Sequence, residues 1–214
     1  MWIGGELGAS WLGNADINIT GTPTLGDTTL KNVKFNNPVV IGGLTIGYDF
    51  VKGGFLGYDY PAWMQYFGFV ADFTYNRVSI KQQTRTGIGT VNASIPIPNI
   101  DGWVTAVAFG PYVHYGFFPD STIPVGRIHP YIGAGPAIST HRINLGDLGL
   151  GGTTSTHVAL WAEAGIRYIL LPNVSMDTAF RYRFAQPSWT AGGTGVELRD
   201  FNSFNVLARV NYHF

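Results

Sequence analysis

The sequence predicts an all-β fold, an eight-stranded antiparallel up-and-down transmembrane β-barrel, and three observations predict it. Apolar and polar residues alternate with a period of two in eight segments, and successive side chains of a β-strand point to opposite faces. The charged residues of these segments fall on one face, and most of the large aromatic residues fall on the other. Long and short connections alternate between the segments. We expect a single barrel domain over residues 1–214.

Each of the eight segments carries this alternation over roughly 10 to 15 residues, a usual strand length for a barrel. In chain order they cover residues 3–12, 38–50, 64–76, 103–117, 128–139, 157–170, 174–184 and 204–214. The first sets Ile3, Leu7 and Trp11 against Glu6 and several glycines. The fifth is the least regular, because proline and glycine interrupt both of its faces.

The last three segments show the pattern most clearly. In the seventh, Phe180 and Tyr182 alternate with Arg181 and Arg183. The sixth and eighth segments likewise place every charge on one face. A strand with one ionic face and one aromatic face must separate two very different environments.

The connections cover about 14–36, 51–63, 81–102, 118–127, 141–155, 171–173 and 186–202. The four long ones are mixed polar sequences, rich in Gly, Thr and Asn, with few apolar residues to anchor them. An exception is the apolar island SIPIPNI at 94–100, which would either rest on the barrel or meet a partner. The 51–63 connection is longer than a minimal turn, which leaves its side of the membrane open.

Composition narrows the possible functions. Charged residues make up 12% of the chain, about half the usual share, and aromatic residues make up 14%. The formal net charge is zero, so nothing indicates electrostatic capture of nucleic acid. Without cysteine there is no disulfide framework and no thiolate chemistry. No uninterrupted apolar stretch is long enough for a transmembrane helix, and no signal peptide precedes the first segment, so we expect a mature form.

Volume decides which face lies inside the barrel. Eight strands leave an interior only just wide enough for side chains to fill. The apolar face holds roughly forty positions, many of them large, and these could not fit inside as a soluble ligand-binding barrel would require. The opposite face combines glycines with a few long polar side chains, and the segments contain no lysine. We therefore expect the aromatic face to meet lipid and the polar face to line the lumen.

The predicted lumen holds nine charged residues of nearly balanced sign. They are Glu6, Asp49, Asp72, Glu163, Arg167, Asp177, Arg181, Arg183 and Arg209. Isolated buried charges cost several kcal/mol each, so we expect them to be paired and hydrogen-bonded. Arginine is the suitable cation, because its planar guanidinium can bridge two carboxylates without losing its proton. Such a network would plug the barrel against ions.

The last five residues, VNYHF, end an alternating segment on Phe214, with Tyr212 two positions before it. On these residues, and on its four long and three short connections, the chain resembles the eight-stranded outer-membrane barrels of the OmpA/OmpX-like superfamily. The resemblance implies that Tyr212 and Phe214 form the signal by which the barrel-assembly machinery recognises its clients. It also implies outer-membrane lipids and lipopolysaccharide as partners, both termini in the periplasm, and the four long connections outside the cell.

Several barrels of this architecture modify lipid A or phospholipids, so catalysis has to be considered. Hydrolysis by a serine nucleophile needs a histidine and a carboxylate within hydrogen-bond reach. The nearest candidates are Ser139 with His141 and Ser155 with His157, each pair on one strand face. They resemble a lipid A deacylase of this architecture only loosely, because its His-x-Ser order is reversed here. We expect no catalysis, no metal site and no cofactor, and interpret these histidines as polar groups at the barrel rim.

Two prolines raise a further possibility. Pro111 and Pro136 lie on adjacent predicted strands, and both would point to lipid. If the hairpin register is near symmetric, they lie roughly opposite each other at mid-depth. Proline cannot donate to a β-ladder, so this seam would be locally unpaired. The seam is then either a tolerated bulge or, as in barrels that resemble the OmpW type, a lateral opening for small apolar molecules.

These observations predict a non-catalytic outer-membrane barrel whose lumen is plugged by a charge network. Its function would lie in the four surface loops, through adhesion, binding of an unknown partner, or envelope integrity. The alternatives are lateral passage of small hydrophobic solutes and enzymatic modification of lipid A or phospholipids.

Overall fold

The computed structural model describes residues 1–22, 26–50, 59–90, 92–144, 152–191 and 193–214. These residues form fourteen β-strands and a short 3-10 helix at Ala62–Tyr66. In chain order the strands are β1 (Trp2–Leu12), β2 (Ala15–Thr22), β3 (Gly26–Val33), β4 (Val39–Asp49), β5 (Phe67–Ile80), β6 (Gln83–Gly89), β7 (Ser94–Ile97), β8 (Ile100–His114), β9 (Ile128–Asn144), β10 (Gly152–Leu171), β11 (Val174–Ala185), β12 (Ser188–Ala191), β13 (Thr194–Arg199) and β14 (Phe201–His213). Among the described residues, no helix has the length and apolar character needed to cross a membrane.

Eight of the strands close into a barrel, in the circular order β1, β4, β5, β8, β9, β10, β11 and β14. Every neighbouring pair is antiparallel, and the barrel closes where β14 pairs with β1, with Tyr212 opposite Ile3. The predicted fold class is therefore confirmed. The barrel strands are 11 to 20 residues long, and the longest, β10, exceeds the roughly 9–11 residues that a tilted strand needs to cross the hydrocarbon layer.

The side chains of the barrel strands sort between the two faces as the alternation predicts. Phe180 on β11 is 63% exposed, whereas the neighbouring Arg181 is 2% exposed. Each barrel strand contributes large exposed apolar residues to the outer surface. Examples, one from each strand, are Ile3, Leu44, Phe73, Val107, Ile132, Leu160, Phe180 and Val210. An apolar belt that runs around the whole barrel is stable against lipid and not against water.

Inward-facing glycines let the strands of this narrow barrel approach one another closely. A Cβ atom placed on Gly8 would lie 2.0 Å from the carbonyl oxygen of Val206 on β14. A Cβ atom on Gly43 would lie equally close, 2.0 Å, to the carbonyl oxygen of Phe73 on β5. Any larger residue at these positions would push two barrel strands apart.

Three of the four long connections are not irregular loops, which corrects the expectation drawn from their polar composition. They fold into the hairpins β2–β3, β6–β7 and β12–β13, which join as a six-stranded sheet in the order β12-β13-β2-β3-β6-β7. We call this the mouth sheet, and we call the end of the barrel that it covers the mouth. The fourth long connection extends β9 to Asn144 and begins β10 at Gly152, and residues 145–151 between them lie outside the described part of the chain.

The mouth sheet stays attached to the barrel through a shared apolar core. The sheet contributes Ile17, Leu30, Ile97, Trp189 and Leu198, and the barrel end contributes residues such as Leu12, Ile80, Ile100 and Phe201. The island at 94–100 thus rests on the barrel mouth, one of the two alternatives that its sequence left open. Short strands with one apolar face form a stable sheet only when that face is covered.

The short connections lie at the opposite end of the barrel. The 51–63 connection falls largely outside the described residues, since 51–58 are not described. In the 118–127 connection, Asp120 Oδ1 accepts hydrogen bonds from the backbone N–H groups of Ile123 and Thr122, both at 2.8 Å. Arg127 Nε donates to Asp120 Oδ2 at 2.5 Å. The hydrogen bond from the Ile123 backbone and the Arg127 guanidinium together hold the pKa of Asp120 below its usual value.

Candidate functional site

A network of ionic hydrogen bonds fills the middle of the lumen, and Arg181 forms one centre of it. Arg181 Nη1 and Nη2 donate to the two carboxylate oxygens of Asp72 at 2.7 and 3.1 Å. Its Nε donates to Glu163 Oε2 at 2.7 Å. One guanidinium thus links β11 to β10 on one side and to β5 across the barrel.

Arg209 on β14 forms a second centre next to the first. Its Nε donates to Glu6 Oε2 at 2.6 Å, and its Nη1 and Nη2 donate to the two oxygens of Glu163 at 2.6 and 2.7 Å. Asp177 Oδ1 lies 3.4 Å from the same Nη1. Since Glu163 accepts from both Arg209 and Arg181, the two centres form one connected unit.

Arg167 holds the end of the network that is farther from the mouth. Its Nη1 lies 3.3 Å from Asp49 Oδ2, and its Nε lies 3.9 Å from Asp177 Oδ2. The guanidinium also stacks over the indole ring of Trp2, 4.6 Å from the ring centroid. The Tyr112 hydroxyl donates to Asp49, so that carboxylate is held from two sides.

Two tyrosines complete the network, and the sequence analysis missed both. Tyr131 Oη donates to Glu163 and to Asp177, each at 3.2 Å, and accepts from Arg209 at 2.9 Å. Tyr112 and Tyr131 lie on β8 and β9, the two barrel strands with no charged member of the network. With them, all eight barrel strands are joined through the lumen. The alternation of each segment could have placed both tyrosines on the inward face, but proline and glycine obscure that alternation on β9.

Arg183 departs from the expectation that every luminal charge is paired. It is buried, and its Nη2 donates to Thr74 Oγ1 at 2.9 Å, but no carboxylate within the described residues forms an ion pair with it. Its Nε has no hydrogen-bond partner among them. Arg183 lies on the mouth side of Arg181, where the lumen turns from ionic to apolar. The remaining eight predicted residues do meet in the network.

Little space remains among these side chains. The void beside the network, bounded by Trp2, Tyr112, Tyr131, Trp161 and Arg167, has a volume of about 10 Å³. That is about the space for one water molecule, and a continuous aqueous path needs many. The geometry is therefore that of a plug. A connected set of hydrogen bonds at low dielectric also resists displacement of any one member.

Above the plug, the mouth encloses an apolar cavity between the mouth sheet and the barrel end. We call it the mouth cavity. It has a volume of about 340 Å³, and its lining includes Ile17, Leu30, Ile80, Ile143 and Leu198. Its volume falls within the range of small-molecule sites, and so few polar groups line it that ordered water is poorly held.

His141 lines this cavity, and Ser139 lies next to it on β9. Ser139 Oγ and His141 Nε2 are 2.8 Å apart, and both residues are buried. The rings of His141 and His157 are 4.6 Å apart. No carboxylate among the described residues hydrogen-bonds to His141, and both ring nitrogens of His157 lack partners, so Ser155 does not pair with it. The geometry therefore lacks the acid and the accessible nucleophile of a hydrolytic triad.

The two prolines lie in an interrupted part of the β8–β9 ladder. The strands pair from Gly102 to Ala108 and again from Tyr112, with residues 109–111 between the paired stretches. The register on both sides places Pro136 across from Phe109, and Pro111 across from Ala134, two positions away. The prolines are thus offset along the ladder and not directly opposite each other.

A tryptophan replaces the hydrogen bonds that the prolines cannot make. Trp161 Nε1 points from the lumen to this seam, 3.1 Å from the carbonyl oxygen of Pro136 and 3.4 Å from that of Phe109. An unpaired carbonyl in a barrel wall would otherwise cost about 1–3 kcal/mol. The indole therefore closes the seam from inside, an arrangement that sequence patterning gave no sign of.

Comparison with known proteins supports the fold. No family model matches the chain, and no curated protein matches it. Among solved structures, the outer membrane protein OprG from Pseudomonas aeruginosa matches with a TM-score of 0.60 and 13% identity, covering 100% of this chain and 96% of that one. Neisserial surface protein A matches with a TM-score of 0.53 and 14% identity, covering 100% and 96%.

The chain has the fold of the small eight-stranded outer-membrane barrels. At identities this low, the likeness establishes the fold and carries no ligand or activity to this chain. Within this fold, Tyr212 and Phe214 lie at the C-terminal end of β14, away from the mouth, and their rings meet edge to face at 5.2 Å. Phe214 is 76% exposed, so it adds little packing to the barrel itself.

Proposed function

We propose that this protein is a non-catalytic barrel of the bacterial outer membrane that acts through the structure at its mouth, in adhesion, partner binding or envelope integrity. In this proposal both termini lie in the periplasm, and the mouth sheet stands outside the cell. The observation that supports this proposal is the division of the molecule into a lumen filled by the charge network and an ordered six-stranded sheet above it.

The plug argues against a pore. Arg181, Arg209 and Glu163 fill the cross-section with bonds of 2.6 to 2.7 Å, and ion passage would require several of these bonds to break together. Breaking a buried ion pair costs about 3–5 kcal/mol. Conduction through such a barrier would be rare, so the lumen supports structure and not transport.

The mouth sheet offers a surface suited to a polar partner. Its middle strands form an open groove of about 560 Å³, lined by side chains such as Asn18, Thr20, Thr29, Glu197 and Arg199. Hydroxyl, amide and charged groups at short spacing provide both donors and acceptors. Because the other face of the sheet is fixed to the barrel mouth, these groups are held in place before a partner arrives, which lowers the entropy that binding must overcome.

Single-channel recording in planar bilayers tests the plug. We expect no steady conductance from the refolded barrel, and steady ohmic conductance would contradict a closed lumen. Mass analysis of lipid A and phospholipids after incubation with the same preparation tests the absence of catalysis. New acylation states that depend on Ser139 would contradict it.

A matched pair of barrels tests the role of the mouth sheet. The first is the intact protein, and in the second a short Gly-Ser turn replaces residues 15–33, which removes the two central strands β2 and β3. Bacteria that display each barrel are compared for attachment to host-cell layers and for survival under bile-salt stress. Loss of attachment or survival in the truncated form alone supports the proposal, and equal behaviour in both assays contradicts it.

A second candidate function is the lateral passage of small hydrophobic solutes, and one observation favours it. The apolar core around the mouth cavity continues down the lumen wall to Ala108 and Ala137, directly next to the interrupted β8–β9 ladder. Trp161 would then act as the gate at the seam. Replacing Pro111 and Pro136 by valine would restore the ladder, so uptake of a fluorescent apolar solute should stop. Unchanged uptake in that double variant would discard the idea.

We also propose that the barrel-assembly machinery reads the C-terminal aromatic pair. Because Phe214 is so exposed, its deletion should leave the unfolding free energy of the finished barrel nearly unchanged. Assembly in cells should slow instead. Pulse-labelling of folded, heat-modifiable protein in the outer membrane measures this, with deletion of an equally exposed surface side chain as the control.

A further inference from the structure

Charged residues are rare on the outward face of the barrel strands. Within the described residues this face carries only three of them, Arg77 on β5, Asp101 on β8 and Arg142 on β9. All three lie on consecutive strands near the mouth. The rest of the outward face is apolar, aromatic or uncharged, so two arginines on this one sector stand out against the general pattern.

The strand register aligns the two arginines in a single row. Arg77 lies directly opposite Trp103, and Trp103 lies directly opposite Arg142. Opposed residues of antiparallel strands lie about 5 Å apart, so the two arginine Cα atoms are roughly 10 Å apart with the indole between them. We call this set the rim row.

The rim row marks the level at which the apolar belt ends. One step toward the short-connection end, Tyr75 contacts Trp103, with ring centroids 6.5 Å apart. One step toward the mouth, the outward positions become Ser79 and Asp101. Tyrosine and tryptophan concentrate where hydrocarbon gives way to headgroups, because their rings have an apolar body and a polar edge. The two guanidinium groups therefore stand at headgroup level.

Within the described part of the chain, neither guanidinium has an acidic partner. Arg77 and Arg142 are exposed, and neither forms an ion pair or a side-chain hydrogen bond with any residue in the described ranges. Two other arginines outside the lumen, the half-exposed Arg127 and the exposed Arg199, do have acidic partners, Asp120 and Glu197. The two free cations also line an open groove of about 520 Å³ on the barrel wall.

We propose that the rim row binds a phosphate group of the lipid A headgroup in the outer leaflet. A guanidinium offers two parallel N–H groups that match phosphate oxygens, and two arginines flank the groove where that anion would lie. Between the two arginines, the indole ring of Trp103 would pack against the part of lipid A next to the bound phosphate, either its sugar or the start of an acyl chain. Among the described residues that line the groove, Asp101 is the only carboxylate; it repels the anion, so it sets an upper limit on affinity. This inference rests on the proposed orientation, with the mouth outside the cell.

Native mass spectrometry of the full chain in detergent tests the site with purified hexa-acyl lipid A in three forms: bisphosphorylated, monophosphorylated and phosphate-free. We expect the bisphosphorylated form to bind at least about tenfold more tightly than the phosphate-free form, since charge-assisted bonds are the stronger class. Arg77→Gln with Arg142→Gln should remove that preference. Arg85→Gln, on β6 of the mouth sheet and outside both grooves, should keep it. Equal binding of all three lipid forms by the unaltered protein would overturn the proposal.

Two further arms identify the source of the phosphate and the role of the carboxylate. Inorganic phosphate and phosphatidylglycerol are offered as competitors, and if either displaces lipid A at equal concentration, the site is a general anion site and the lipid A assignment is wrong. Asp101→Asn should tighten bisphosphorylated lipid A by several-fold, and weaker binding would contradict the assigned groove. Surface labelling of a cysteine placed on β3 in intact cells tests the orientation separately, so its failure is distinguishable from failure of the phosphate site.

Discussion

The luminal network can be tested most directly by replacing Arg181 with methionine. The methionine side chain has a similar length and fits the same space, but it carries no charge. In the structure, Arg181 is 2% exposed and makes three hydrogen bonds of 2.7 to 3.1 Å to Asp72 and Glu163. After the substitution Asp72 has no ion-pair partner, and Glu163 keeps Arg209 as its one ion-pair partner.

The expected loss follows from these contacts. Removal of one partner from a buried ion pair costs about 3–5 kcal/mol, chiefly because the remaining charge stays in a low-dielectric interior. Glu163 keeps a partner, so we expect Arg181→Met to lower the unfolding free energy by about 4 kcal/mol, and not by twice that amount. Arg181→Met combined with Asp72→Leu removes both charges, and about half of the loss should be recovered.

Guanidinium-induced unfolding in detergent micelles, followed by tryptophan fluorescence and heat-modifiable gel migration, measures these differences. Arg199→Met is the matched control, because Arg199 forms an ion pair with Glu197 at 3.1 Å on the exposed mouth sheet. An exposed pair contributes about 0–1 kcal/mol. If Arg181→Met costs no more than Arg199→Met, the lumen is hydrated and its charges do not hold the barrel together.

Three further predictions follow from the packing. Gly47→Val should cost about 1–3 kcal/mol because its Cβ would lie 2.2 Å from the Trp2 ring, whereas Gly5→Val, which meets nothing within 4 Å, should be nearly neutral in the same unfolding assay. Trp161→Phe should speed amide hydrogen exchange around the interrupted ladder and cost about 1–2 kcal/mol, and unchanged exchange would contradict the capping role. The pKa of Asp120 is held low, so its turn should stay closed above about pH 4 and loosen as the pH falls below that value. NMR shifts of the turn amides report this, and Asp120→Asn should remove the pH dependence.

The barrel and its inside-out arrangement were predictable because they depend on a period of two that survives along each strand. The pairing of Glu163 with Arg181 shows how much the alternation alone can predict. The tight turn at 171–173 sets the register of the β10–β11 hairpin, and with the shared inward parity this places the two side chains opposite each other. The alternation of the two strands and the short turn between them were enough to predict this pair.

The pairing across the barrel was not predictable in the same way. Arg181 meets Asp72 across the lumen from β5, and that contact depends on the stagger of several strands, which no local pattern records. For the same reason, Arg183 was expected to find a carboxylate and did not. Tyr131 was missed because the prolines and glycines of β9 hid its parity.

The mouth sheet was missed for a different reason. Its strands are short, four to eight residues, and glycine and threonine separate their apolar residues. Ile17 and Leu198 reveal a common face only when β2 and β13 pair, and that face becomes stable only against the apolar end of the barrel. A sheet that depends on its neighbour for half of its core leaves a weak signal in any one segment.

The ionic lumen also helps to define the fold itself. A shift of one residue in any barrel strand would turn its luminal charges toward lipid, where an arginine costs about 2–4 kcal/mol at mid-depth, and would break their bonds inside. For β11, which carries Asp177, Arg181 and Arg183, a slipped register would therefore be strongly disfavoured. An apolar lumen would leave such slips almost unopposed, because both faces of each strand would then be alike. The charges that fill the lumen thus also fix the register of the barrel, and the mouth sheet is built on that fixed frame.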